Sequence, residues 1–464
     1  MQLTSPVFLF LFFPLSLLPL PFCPPKHRKA LLCILSIAFF FLANRQHPLA
    51  LLQVGAVVLY MCLLSALPVR FPARLRCLLG VVPTVGFWLA MRLLAEYGEY
   101  VEYPIGLTMV TLGAVSLSID RYRSDAPDRE GPLGVMGYLL FFPTALLGPV
   151  LRYKQFLYLT EHVTPSRDTF TVGARLYMIG YVKRLALAAI LLRTMQDMLA
   201  FASQVPLSLF ALPVLLCISY ALFYSFISGT VDMARGLMSI YGLTPLRDRA
   251  ELLTTTSPHR MLYRSHLSLD RYLEDYVAAP LRARFPSKLG RVLAVGAVFL
   301  LTLFFYRTRP EVLLFGLPVL ICSCLLLGHK RWERSRHGRI LNVFFTVCSF
   351  VAVSLLTLSL TLQEPLAIFS MFASPFAEQD LFNIYYLIGA VPDISYLFFA
   401  LIAVVLFLAT RFYPLLERRL PERGRIAVSA VQTVLLFVAF ILTVLYFLPQ
   451  FPGQADLRFF DFLV

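Results

Sequence analysis

Ser228-Gly229-Thr230-Val231-Asp232-Met233-Ala234-Arg235-Gly236 stands at the end of an apolar run, 206–227, and it sets the terms on which this chain can fold. An acid and a guanidinium reached through apolar sequence cannot be left against hydrocarbon, so Asp232 should be paired or line water. Arg152 and Arg264 are the partners expected for it. The next polar stretch, 244–289, is also enclosed between apolar blocks. Within it Leu262, His266, Leu269, Leu273 and Val277 recur at spacings of three and four, which predicts an amphipathic helix. Pro280 should end that helix. A polar helix in the middle of such a chain belongs at an interface or beside a water-filled cavity, where a polar substrate can be handled.

The rest of the chain explains why those polar runs stand out. Of 464 residues, 59% are hydrophobic and 14% charged, and the mean hydropathy is +0.75. A soluble domain carries about 25% charged residues, so this chain has too little polar surface to cover a water-facing globule. A transmembrane helix needs about 20 apolar residues. Such stretches recur at 5–22, 29–44, 48–68, 76–94, 104–119, 133–151, 172–196, 206–227, 292–306, 312–328, 340–362, 394–410 and 426–449. The expected fold class is therefore all-α: a polytopic integral membrane protein with about 10–12 transmembrane helices, some segments being re-entrant. The first stretch lacks a positive leader and contains Pro14, Pro19 and Pro21, so it is read as the first span and not as a cleaved signal.

The net charge of +15 does not point to nucleic acid, because the basic residues collect in loops. Lys26 to Lys29, Arg70 to Arg76, Lys330 to Arg339 and Arg411 to Arg425 should be cytoplasmic, and 363–393, acidic and free of Lys and Arg, should face outward. Alternating these loops places both termini outside. The cysteines sit mostly in apolar spans; Cys322 and Cys324 are close together but have no His or Cys nearby to complete a metal site, so none is expected. There is no internal repeat, which weighs against an inverted-repeat transporter.

Two further segments break helix rules inside apolar sequence: Tyr103-Pro104-Ile105-Gly106-Leu107-Thr108, and Phe142-Pro143 through Gly148-Pro149-Val150-Leu151-Arg152-Tyr153. Pro and Gly free backbone groups that lipid cannot satisfy, so both segments should pack inside the bundle. A simple proline kink is the alternative.

These motifs, in this order, resemble the bacterial branch of the membrane-bound O-acyltransferases, which includes alginate O-acetyltransferases and the membrane protein of D-alanyl transfer to teichoic acid. Pro104-Ile105-Gly106 through Ile119-Asp120-Arg121-Tyr122-Arg123 looks like the family's "PLGISF…DVYR". Residues 142–153 look like "FP…GPIVRY", and Gly180 followed by Lys183-Arg184 looks like "GLFKK". Ser228-Gly229 with Asp232-Met233-Ala234 looks like "FSGYSDMAIG", and Arg264 to Pro280-Leu281 like "RRWHISLSTWLRDYVYIPL". The resemblance covers residues 100–320 and implies N-terminal helices at 1–99, a core at 100–328 and C-terminal helices at 329–464.

What the resemblance implies for function is a helical bundle with a central funnel. An activated acyl group enters from the cytoplasm, carried by acyl-CoA or by an acyl-carrier protein thioester as co-substrate, and no bound cofactor is needed. A hydroxyl of an extracytoplasmic glycan or polymer accepts it. The expected setting is the bilayer of a bacterial inner membrane, with an acyl-carrier protein or cell-envelope polymer modification and secretion proteins as partners. His266 is the retained family histidine. Ser228, Gly229, Asp232, Arg264, Asp270, Pro143, Gly148, Pro149 and Arg152 are the implied lining of the tunnel.

The match fails at one critical place. Aligning the glycine that ends the family's "GGLWHGASWNFVLWG" with Gly316 puts Tyr306 where the catalytic histidine is expected. No histidine lies between His266 and His329. The aspartate before Ser-Gly is replaced by Phe226, and tryptophans near His266 by Tyr263, Ser265 and Tyr272. A histidine titrates near neutrality and a tyrosine at about 10, so Tyr306 is a poor general base. A positioned base contributes about 10²–10⁴ in rate. Two readings follow: a divergent O-acyltransferase that uses His266, and a non-catalytic scaffold or substrate-passage subunit of a cell-surface polymer complex. Asp270 and Glu274 lie on the same helical face as His266 and either orient it or form a solvated face.

Overall fold

Backbone amides inside a bilayer find no water, so apolar sequence satisfies them within helices. The computed structural model describes residues 3–45, 48–68, 71–97, 103–123, 131–145, 148–202, 211–243, 267–306 and 421–447, with single helical positions between 317 and 358. Every regular element among the described residues is helical. In chain order they are α1 (Phe8–Leu17), α2 (Pro25–Asn44), α3 (Pro48–Ser65), α4 (Ala73–Tyr97), α5 (Leu107–Arg123) and α6 (Pro132–Leu139). There follow α7 (Tyr153–Glu161), α8 (Arg167–Val182), α9 (Ala188–Ala202), α10 (Ala211–Ile240), α11 (Leu267–Leu273), α12 (Ala279–Arg284), α13 (Lys288–Tyr306) and α14 (Glu422–Phe447).

Six helical segments among the described residues are long and apolar enough to cross a membrane: α2, α3, α4, Leu212–Ile240 of α10, Lys288–Phe305 of α13 and Ala427–Tyr446 of α14. The fold is thus all-α and polytopic. The stretch 312–328 falls mostly, 340–362 about half, and 394–410 wholly outside the described residues. Burial sorts the spans: α10 is 72% buried while α4 and α14 are 22% buried, so α10 is central and the other two face outward. Leu59 and Leu63 on α3, and Leu78 and Val82 on α4, are exposed, as lipid-facing positions must be.

The first apolar stretch is shorter than a span. Helix α1 covers Phe8–Leu17, about 15 Å at the helical rise. Pro19 and Pro21 lie beyond its end and cannot continue it. Its aromatic face is buried in the core: Phe8 packs edge-on to Phe39 of α2, and Phe13 stacks on Tyr177 of α8. Tyr177 donates its hydroxyl proton to the Leu3 carbonyl (2.7 Å), and Ser16 is hydrogen-bonded to Tyr241.

Helices α8 and α10 form the closest pair, and small residues make it so. Gly173 and Gly180 on α8 face Gly236 and Gly229 on α10. A Cβ on Gly229 would lie 2.8 Å from the Gly180 carbonyl oxygen, and one on Gly173 would lie 2.6 Å from that of Gly236. Neither can be accommodated without parting the helices, which is how small residues seven apart let two membrane helices touch along their backbones.

Both rule-breaking segments pack inside, as backbone satisfaction demands. Gly106 has φ +81°, a conformation that suits glycine, and turns the chain into α5. Residues 141–145 and 148–151 are buried. Phe142 meets Tyr241, just past α10, edge-on at 5.3 Å. The chain then runs extended through Arg152, which caps α7.

The amphipathic helix departs from expectation at its end. It does not stop at Pro280: a π-helical turn, Glu274–Ala278, joins α11 to α12, which runs through Pro280 to Arg284. The Ala279 N–H bonds to the Glu274 carbonyl five residues back. That wide turn shifts the register just ahead of Pro280. The residue lacking an N–H then falls in the first turn of a new helical segment, where no donor is required.

Candidate functional site

Two buried polar assemblies carry the chemistry-bearing residues. The first is where α11 and the π-helical turn Glu274–Ala278 dock on α5 and on the Pro-Gly segment 142–153. Leu269, Tyr272, Leu273 and Tyr276 are the buried face of that docking. Tyr276 donates to Asp120 Oδ1 (2.9 Å), and its hydroxyl lies 2.9 Å from Ser116 Oγ, which also accepts the Tyr153 N–H (3.0 Å). Tyr272 donates to the Leu112 carbonyl (2.8 Å), and the Val150 N–H donates to Ser268 Oγ (2.9 Å). Asp120 is buried, so these donors are what allow a carboxyl there. Burial pushes the hydroxyls of Tyr272 and Tyr276 well above the ordinary phenol range, which keeps both as donors at neutral pH.

The rim of the same contact is charged. Arg152 pairs with Asp275 and reaches the Arg271 carbonyl (3.5 Å), while Arg123 donates to the Asp275 carbonyl (3.2 Å) and covers the Tyr276 ring. The expected pairing of Arg152 with Asp232 is therefore incorrect. Arg152 is held at the start of α7 by its own N-cap position, next to the polar helix, and Asp275 is the acid within reach. Glu274 pairs with Arg282, two turns on, across the π-helical turn.

The second assembly surrounds Asp232. Lys183 Nζ lies 2.7 Å from Asp232 Oδ2, and Arg235 lies 3.6 Å from Oδ1. Lys183 comes from a π-helical turn, Lys183–Leu187, between α8 and α9. The side chains of all three are 11–15% exposed, so an acid in an apolar run is paired as charge burial requires. Beside them Arg184 donates to Thr230 Oγ1 (3.2 Å) and lies over the Phe226 ring at 4.9 Å. An aromatic face thus meets this cation at the position where the family pattern has an aspartate.

The other expected site residues are placed as follows. Ser228 is buried on α10, and its Oγ has no hydrogen-bond partner among the described residues. Gly229 is a contact with α8. Asp270 is half-buried on α11. Pro143 and Gly148 are in the buried segment, and Pro149 lines a small cavity with Met109, Tyr138, Thr144 and Leu151. His266 and Arg264 lie outside the described residues. Tyr306 ends α13, and its side chain also lies outside them. The sequence reading missed Lys183 and Ser116 as site residues. Lys183 carried a signal, being a cation inside an apolar stretch; Ser116 carried none.

The architecture is that of a polytopic α-helical membrane protein with buried polar centres at ordered motifs. The family model described as MBOAT, membrane-bound O-acyltransferase family, matches residues 116–363, and this chain belongs to that family. Similar proteins include the "Probable alginate O-acetylase AlgI" of Pseudomonas aeruginosa, 28% identical over 298 residues, which are 60% of this chain and 56% of the relative. That of Pseudomonas fluorescens is 29% identical over 282 residues (60% and 56%), and that of Azotobacter vinelandii 28% over 297 (60% and 59%). The chain spans a little over half the length of these curated relatives.

Proposed function

We propose that this protein belongs to an O-acyl transfer system of the bacterial inner membrane, with its own hydroxyl-activating step weakened. In this reading an acyl thioester, on CoA or an acyl-carrier protein, is presented from the cytoplasm. A hydroxyl oxygen of an extracytoplasmic polysaccharide attacks the thioester carbonyl, an ester forms, and the thiol leaves with the proton. The names of the relatives support a polysaccharide acceptor. His266 takes the hydroxyl proton, and Tyr306 stands in for the histidine expected there.

One observation carries the reading: α11 and the π-helical turn after it are locked to α5 and the Pro-Gly segment through Tyr276, Asp120, Ser116 and Arg152. Such a lock holds the backbone just after His266 in a fixed place. Asp232, Ser228, Asp270, Pro143, Gly148, Pro149 and Arg264 belong to the tunnel wall in this reading, and Gly229 sets the wall's helix crossing.

A second reading, a scaffold or passage subunit of a surface-polymer complex, draws on the tyrosine at 306. Acyl-donor turnover by the purified protein in bilayer discs separates the two. Wild type should turn over slowly, His266→Ala should abolish turnover, and Tyr306→His should raise it about 10²-fold or more, since a positioned base is worth that much. Turnover that is equal in wild type and His266→Ala would remove His266 from the chemistry. Silence in all three proteins with both donor classes would favour the scaffold.

A further inference from the structure

Helix α3 ends, α4 begins and α5 ends at one side of the bundle, and the three enclose a cleft there. Its volume is about 50 Å³. A single water needs about 10–15 Å³ by the same measure, so the cleft admits a group the size of a phosphate. Met61, Leu64 and Leu117 form an apolar floor, and two guanidiniums, those of Arg76 and Arg121, stand in the wall.

Among the described residues neither arginine has a carboxylate partner. The Nε of each is buried and has no hydrogen-bond partner among the described residues. Arg76 spends Nη2 on the Pro68 carbonyl (2.7 Å), and Arg121 lies over the Tyr153 ring at 5.6 Å. Both side chains are half-buried, which leaves their outer N–H groups open to the cleft, and planar guanidinium forks fit phosphate oxygens in pairs. Two of them on one cleft make a site for an anion.

The surroundings identify its source. Leu63, Leu75 and Leu78, neighbours in sequence of the lining residues Leu64, Arg76 and Cys77, are 63%, 44% and 58% exposed. They lie on the outward faces of α3 and α4, where acyl chains run. A basic cleft at helix ends with apolar side chains beside it matches a lipid whose headgroup is anionic. We propose that the cleft between α3, α4 and α5 binds the phosphate of an anionic phospholipid through Arg76 and Arg121.

Native mass spectrometry of the full chain, released from discs containing phosphatidylglycerol and phosphatidylcholine with matched acyl chains, tests this. Phosphatidylglycerol should remain bound preferentially. Arg76→Gln combined with Arg121→Gln should lower its retention about tenfold, as expected from two lost basic contacts. Arg74→Gln, an exposed arginine at the same helix end and outside the cleft, should leave retention unchanged. Ser65→Phe, which fills the cleft and leaves the charge of the chain unchanged, should lower retention as well and stands in should the double variant fail to fold. Undiminished retention in the double variant or in Ser65→Phe overturns the site. Displacement of the lipid by inorganic phosphate as readily as by phosphatidylglycerol would make the ligand a free anion and overturn the lipid assignment.

Discussion

Asp232 holds two cations, and removing it takes the shared carboxylate from Lys183 and Arg235 in a largely buried place. Breaking one partner of such a group costs about 3–5 kcal/mol. Asp232→Ala should therefore lower the thermal midpoint sharply, and Asp232→Leu with Lys183→Met should recover part of the loss. A midpoint unmoved by Asp232→Ala would show that the group contributes nothing to stability. Tyr276 makes a second residue-level prediction. Tyr276→Phe removes a donor from the buried Asp120 carboxyl, at a cost of about 1–3 kcal/mol. The pH sign follows from burial. The folded state raises the Tyr276 pKa above its unfolded value of about 10. Its contribution is thus fully present below about pH 10 and is lost as pH rises through the folded value. Phenolate absorbance during an alkaline titration of wild type and Tyr276→Phe measures it; an ordinary phenol titration at Tyr276 would contradict the buried contact.

At the scale of elements, the crossing of α8 and α10 is the most exacting contact, because backbone meets backbone. Gly229→Val has no room and should part the helices, costing several kcal/mol or preventing accumulation of folded protein. Gly86→Ala, in α4 where nothing lies within 4 Å of the added methyl, should stabilise by about 0.4–1 kcal/mol. Melting both variants in the same detergent gives the comparison, and equal midpoints would deny that the crossing depends on glycine. The need to pair Asp232 was legible in its apolar setting. The partner was not, because Lys183 lies 49 residues away and meets Asp232 across this crossing. Pro280 was likewise read by the local rule for proline, and the π-helical turn before it set that rule aside.

For the whole molecule, the start of α2, the loop from α3 to α4 and the end of α5 carry Lys26, Arg28, Lys29, Arg74, Arg76, Arg121 and Arg123. The alternation of helices brings these ends to one side, and the positive-inside rule predicts that side to be cytoplasmic. Arg74→Cys in a cysteine-free background should react with a membrane-impermeant maleimide after the cells are opened and stay unlabelled in intact cells. Labelling in intact cells would invert the orientation, and with it the direction of acyl transfer proposed above.

The helical class, the inward packing of the Pro-Gly segments and the placement of cations at helix ends all followed from the sequence, since each depends on a residue and its near neighbours. Lipid permits no unsatisfied backbone, so local composition was enough. Tertiary structure decided the pairings: Lys183 with Asp232, Arg152 with Asp275, Tyr276 with Asp120, and Arg184 over Phe226. Each of these joins residues on different elements, and a salt bridge or hydrogen bond exists within a few ångströms or not at all. Helix crossings set by close backbone contact, as at Gly180 and Gly229, choose which of several chemically equal cations comes within that range.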